Sequence, residues 1–141
     1  MGETSPQALV VDSSVAVKWF LSEREPHVEL AWALLESHLA EQVSIQVPDH
    51  LRLEVLNALL HRGVTPNELG SATSVLDGFR LSWHHISAPL AASAADIASH
   101  HGLTLYDAAF AALALELDAE LVTADRRLAA SGACRLRLLG E

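Results

Sequence analysis

The sequence predicts an α/β sandwich in which a mostly parallel central sheet is flanked by helices. Short apolar runs rich in Val, Ile and Leu alternate with longer segments of helical period, which is the pattern of strands joined by helical crossovers. No linker, repeat or low-complexity tract divides the 141 residues. Half of those residues are hydrophobic, enough for one real core at this length. A single domain spanning residues 1–141 follows.

The elements are expected in this order. Leu9-Val-Val-Asp12 reads as a buried strand, followed by a short helix around Val15 to Leu21 and a second from about Pro26 to Ala40. Ser44 to Pro48 is the next strand, and Asp49 can cap the helix that runs to about Arg62, where Gly63 stops it. Thr65-Pro66-Asn-Glu68 combines an N-cap, a proline at the first helical position and an early acid, so it starts a helix reaching about Phe79. Trp83 to Ile86 is a third strand. Pro89 to about His101 is helical and ends at Gly102, and Thr104-Leu-Tyr-Asp107 opens the alanine-rich helix to Leu117. Leu121-Val-Thr123 and Leu136-Arg-Leu138 are two further short strands.

A net charge of -9 and the absence of basic blocks exclude a general nucleic-acid coat; Arg126-Arg127 is the only adjacent cationic pair. The single cysteine, Cys134, has no partner for an internal disulfide and is given no role. Met1-Gly-Glu-Thr-Ser-Pro lacks the cationic region and apolar run of a leader, and no apolar stretch reaches the roughly 18 residues of a spanning helix. A reducing cytoplasm is the expected setting.

Four acids stand beside apolar segments: Asp12 after Ala8-Leu-Val-Val, Glu54 inside an apolar helix, Asp107 at the opening of another, and Asp125 after Leu121-Val-Thr-Ala. Three of them have a plain structural explanation. Asp12 and Asp125 suit helix caps, and Asp107 suits a capping box and the helix dipole. Glu54 is harder to explain, since it neighbours Leu51 and Ala58 at i-3 and i+4 and so borders the core-facing stripe, where an arginine partner is the plain alternative. Strand-end acids in a parallel sheet share one edge, the edge at which ligands bind. Carboxylates gathered there repel unless a cation or raised pKa values relieve them. Mg²⁺ or Mn²⁺ suits such a set, because hard cations prefer oxygen donors.

Eight histidines offer no zinc site: His84-His85 and His100-His101 are adjacent pairs, and no cysteine cluster completes one. His50, one turn before Glu54, makes an i, i+4 pair that an all-oxygen site does not need. The helix carrying Glu54 has a second apolar surface in Leu53, Leu56 and Leu60, which either lies beneath the Pro66 to Phe79 helix or meets a partner.

Val11-Asp-Ser-Ser-Val15 with Lys18-Trp-Phe20, Leu53-Glu-Val-Leu-Asn-Ala58, Leu105-Tyr-Asp-Ala-Ala-Phe110 and Leu121-Val-Thr-Ala-Asp125 together resemble the pattern of PIN-domain nucleases, in particular VapC-type toxins of toxin-antitoxin pairs. The resemblance runs in family order through residues 8 to 138. It implies a PIN-like three-layer sandwich and a ribonuclease that uses one or two Mg²⁺ or Mn²⁺ ions. Asp12 and Asp107 match the principal metal-binding acids, Glu54 the second acid of the motif and Asp125 the fourth, while Ser14 and Thr123 match supporting hydroxyls. Metal chemistry of this kind offsets charge on the phosphoryl oxygens and lowers the pKa of attacking water, with Glu54 or Asp125 holding that water.

Lys18, Arg24, Arg126 and Arg127 are the candidate contacts to the RNA backbone. A small antitoxin and a second copy of the chain are the implied partners. Aspartyl-phosphate enzymes are excluded by Asp12-Ser-Ser and by the absence of a lysine after Lys18. A PIN-like binding module without catalysis is the remaining alternative, although such a module is expected to have lost one of the acids.

Overall fold

The computed structural model describes residues 5–21 and 25–141, and Arg24 lies outside them. Five strands, β1 (Gln7–Val11), β2 (Val43–Pro48), β3 (Ser82–His84), β4 (Glu120–Thr123) and β5 (Leu136–Leu138), form one sheet. Its order is β3-β2-β1-β4-β5, and every pairing is parallel. The expected mostly parallel sheet is therefore parallel throughout. Val10 and Val11 point to opposite faces of β1 and both are fully buried, so helices cover the sheet on both sides, as a parallel sheet requires.

The helices are α1 (Ser13–Ala16), α2 (Val28–Leu39), α3 (Leu51–His61), α4 (Pro66–Gly78), α5 (Ala88–His101), α6 (Leu105–Glu116) and α7 (Arg126–Ala129). Helix α6 is buried from Ala108 through Ala114. Its five alanines in that span let it lie against β1, β2 and β4 while α5 packs along it. The terminal signals at Thr65, Thr104 and Gly102 act as the sequence anticipates: the two threonines each accept a backbone N–H as N-caps, and Gly102 ends α5 at φ +65°. Helix α5 itself starts at Ala88, capped by Ser87, which the sequence reading did not name.

Several boundaries differ from the sequence reading. The Val15 to Leu21 helix is instead α1 followed by a 3₁₀ turn at Val17–Trp19. Helix α2 begins at Val28 rather than near Pro26, because His27 adopts φ +59°, a left-handed conformation that cannot continue a right-handed helix. Asp49 does not cap α3; His50 holds that position without a side-chain bond, and the Asp49 N–H donates to the His84 carbonyl. Strand β3 stops at His84. Leu53 and Leu60 do not lie beneath α4: they are 71% and 54% exposed.

Candidate functional site

The register explains how distant residues meet. Val11 pairs with Val122, so the next residue of each strand line, Asp12 and Thr123, arrive side by side at the carboxyl edge. Asp12 caps α1, accepting the Val15 N–H at 3.3 Å. Ser14 Oγ donates to its Oδ1 at 2.5 Å and Thr123 Oγ1 to its Oδ2 at 2.5 Å. The two hydroxyls also bind the β4 exit, where Ala124 N–H donates to Ser14 Oγ at 2.8 Å and Asp125 N–H to Thr123 Oγ1 at 3.0 Å.

Asp12 is only 4% exposed. Burial pushes its carboxyl up to about 6 from an ordinary 3.8, against the pull of the Ser14 and Thr123 hydroxyls and the Val15 N–H, with a smaller push from the negative charge of Asp107. Desolvation outweighs three hydrogen bonds here because the charged form has lost nearly all its water.

Asp107 stands in the first turn of α6, its N–H bonded to Thr104 Oγ1 at 3.1 Å. Burial raises its pKa and Asp125 raises it further, while Thr104, Arg127 and His50 oppose the shift. Glu54, in the first turn of α3, is also raised, first by burial and then by Asp107, with the Ser13 hydroxyl opposing. Asp107 thus acts electrostatically on both Asp12 and Glu54 and is itself acted on by Asp125. Asp125 is exposed and caps α7, accepting the Arg127 N–H at 2.9 Å.

One oxygen of this group is orphaned: Glu54 Oε1 is buried with no hydrogen-bond partner. An unpaired buried carboxylate oxygen beside other acids matches the donor chemistry of a hard divalent cation. The carboxylates are not grouped for one as they stand. Among the described residues no three His, Cys, Asp or Glu side chains are assembled so as to hold a metal ion, and hydroxyls occupy both oxygens of Asp12. The donors fit Mg²⁺ or Mn²⁺ by charge and type, and sharing one ion requires them to draw together.

The cations divide. Arg127 is exposed, donates to the Gly102 carbonyl at 3.0 Å and lowers the pKa of Asp107, so it borders the acids. Arg126 is 85% exposed, 4.0 Å from Glu141. Lys18 is a correction to the sequence reading: it is 3% exposed, and its ammonium donates to Glu25 Oε1 at 3.3 Å and to the Pro26 carbonyl at 2.7 Å. It holds the chain together instead of meeting a ligand. Arg62 completes that cluster at 2.8 Å from Glu25 Oε2.

Two features were missed from the sequence. The Ser13 hydroxyl lowers the pKa of Glu54, a relation that nothing in Asp12-Ser-Ser signals. His50 Nε2 bonds the Tyr106 carbonyl at 2.9 Å and its ring lies 4.6 Å from that of Phe110, so α3 and α6 are tied at their N-termini beside the acids. Cys134 needs no revision, since burial pushes its thiol up to about 11, away from reactivity.

Comparison with known proteins agrees with this architecture. The PIN domain matches residues 9–132. Over 123 residues the chain is 31% identical to Ribonuclease VapC3 of Pyrobaculum aerophilum, covering 86% of this chain and 92% of that protein. A toxin-antitoxin complex from Klebsiella pneumoniae is similar in structure at TM-score 0.69 and 18% identity, covering 94% of this chain and 98% of its counterpart. Mycobacterium tuberculosis VapC20, described as a sarcin-ricin loop cleaving toxin, is similar at TM-score 0.68 and 17% identity, covering 88% and 95%. Sequence and architecture together establish that the chain belongs to the PIN-domain family.

Proposed function

We propose that the chain is an endoribonuclease that hydrolyses RNA phosphodiester bonds with Mg²⁺ or Mn²⁺, and that it is the toxin of a toxin-antitoxin pair. The observation that carries the reading is the electrostatic coupling of Asp107 with Asp12, Glu54 and Asp125. Like charges are kept together at a partly buried edge, which costs stability unless a bound cation offsets them. The 31% identity to Ribonuclease VapC3 supports the activity class.

In this reading Asp12, Glu54, Asp107 and Asp125 would hold the ion, which when bound would neutralise charge on the phosphoryl oxygens and lower the pKa of water. Ser14 and Thr123 fix the orientation of the Asp12 carboxylate. Glu54, with its free oxygen, is the candidate to hold a water proton. Arg127 borders Asp107 and is the first candidate for a phosphate contact, ahead of Arg126, which lies 4.0 Å from Glu141.

A cognate antitoxin and a second copy of the chain are the proposed partners, with the exposed Leu60 as available apolar surface. No helix among the described residues is long and apolar enough to cross a membrane, and a cytoplasmic setting belongs to the same proposal. The ungrouped carboxylates favour a second reading, a PIN-like binding module without catalysis. Incubation of the purified chain with RNA in Mn²⁺, in Mg²⁺ and in EDTA separates the two. Cleavage that needs the metal supports the nuclease; intact RNA under every condition supports the module.

A further inference from the structure

Next to the acids lies a cavity of about 460 Å³ lined by His50, Leu53, Glu54, Asn57 and Tyr106. Its size falls within the range of small-ligand pockets. Glu54 belongs both to this cavity and to the acidic cluster, so whatever fills the cavity lies beside the bond to be cut.

The lining has a definite chemistry. Tyr106 is 64% exposed and Leu53 71% exposed, which gives an aromatic face and an aliphatic wall open to solvent. The Tyr106 backbone is held where its carbonyl meets His50 Nε2 at 2.9 Å, and the His50 ring lies 6.2 Å from the Tyr106 ring at a tilt of 34°. Asn57 is exposed and presents an amide, which is both donor and acceptor. Glu54 adds acceptor oxygens. A flat aromatic, a greasy wall and an amide beside a carboxyl suit an unstacked nucleobase, which binds by stacking and by hydrogen bonds along its edge. A phosphate does not suit it, since no cation lines the cavity and Glu54 repels one.

We infer that this cavity is the base-binding subsite of the chain, holding the base of a single-stranded nucleotide next to the scissile phosphate. The inference rests on the ribonuclease reading for where that phosphate lies. The base stacks on Tyr106 against Leu53, and its edge meets the Asn57 amide.

Tyr106 is the only tyrosine of the chain, so a 3-fluorotyrosine-labelled protein gives one fluorine resonance that reports on the cavity without any need for catalysis. Titration with single-stranded oligoadenylate should move that resonance saturably upfield, and the matching abasic oligonucleotide should not. Tyr106→Ala should lower affinity for oligoadenylate about tenfold or more, by a filter-binding measurement on unlabelled protein. Asn57→Leu should change the relative cleavage rates of RNAs that differ at one base, while its circular dichroism matches wild type.

Equal shifts from the abasic and base-bearing strands, or no shift from either, overturn the inference. So does Asn57→Leu slowing every RNA by the same factor, which is the result expected if the cavity serves instead to seat a protein segment. A wild-type chain that leaves all RNA intact in Mn²⁺ sinks the nuclease reading, and the fluorine titration still decides the cavity.

Discussion

Thr123 Oγ1 donates a 2.5 Å hydrogen bond to Asp12 Oδ2 across 111 positions of sequence. The pair joins the exits of β1 and β4, and Ser14 closes the arrangement by binding the other Asp12 oxygen and the Ala124 N–H. A carboxyl that is almost wholly buried is thus held by two hydroxyls and one amide.

That burial sets a pH dependence for the metal-free protein. The Asp12 carboxyl lies at about 6 in the fold against 3.8 in its ordinary state, so between those values the folded chain binds more protons than the unfolded one and stability falls as pH rises. The difference is roughly two units, or about 3 kcal/mol at 1.36 kcal/mol per unit. The contribution is fully present below about pH 4 and lost as pH passes 6. Urea unfolding in EDTA at pH 4 and pH 7 should show wild type losing about this much more than Asp12→Asn, which keeps the helix cap but cannot ionise. Parallel losses in the two proteins would refute the assignment.

Thr123→Val preserves shape and removes the hydroxyl. One oxygen of Asp12 and the Asp125 N–H then lose their partner, at a cost of about 1–3 kcal/mol. Urea unfolding at pH 7 should detect it, and the cost should shrink in an Asp12→Asn background. Equal costs in both backgrounds would mean that the two residues are not coupled.

Asp107→Asn should abolish RNA cleavage with circular dichroism unchanged, because it removes charge from the centre of the acidic cluster at constant size. The same cluster should make metal stabilising. Mn²⁺ at about 100 times its dissociation constant contributes roughly 2.7 kcal/mol by mass action, or several degrees in Tm. A melting titration on wild type and Asp107→Asn checks this, with a smaller rise expected in the variant. Identical curves would dismiss Asp107 as a ligand.

Glu25, bonded to Lys18 and Arg62, offers a stability test outside the acidic cluster. Burial pushes its carboxyl up, but Arg62 and Lys18 outweigh burial and leave it below the usual range. Its contribution is therefore present above the ordinary carboxylate pKa and is lost as pH falls through the lowered value. Glu25→Gln leaves the buried Lys18 ammonium without its counter-charge and should destabilise the fold by about 3 kcal/mol at pH 7. Thermal melts of the variant and of Lys18→Met, which removes the buried charge itself, should show the lysine variant as the milder one.

Much of the fold was legible because hydrophobic period and end signals coincide: Thr65-Pro66, Thr104 and Gly102 each act where the sequence puts them. Glu54 at the border of the core was legible from its spacing. What could not be read was tertiary. That Asp12 meets Thr123 depends on β4 lying beside β1, a neighbour relation that no local pattern encodes. Lys18 sits six residues after Asp12 and looks available, yet the 3₁₀ turn carrying it aims it inward at Glu25 and Pro26. The start of α2 shifted for a related reason, since the left-handed His27 follows the Pro26 carbonyl that Lys18 binds.

Lys18 is the chain's only lysine. With that amine hidden, the solvent-facing cationic side chains among the described residues are guanidinium groups, planar donors that meet a phosphate in fixed directions rather than as a mobile point charge. The hidden amine also serves as an internal clock. An acylating reagent selective for amines reaches the Lys18 side chain only when the segment around Glu25 opens, so the rate of labelling measures how often that segment parts from the body of the protein.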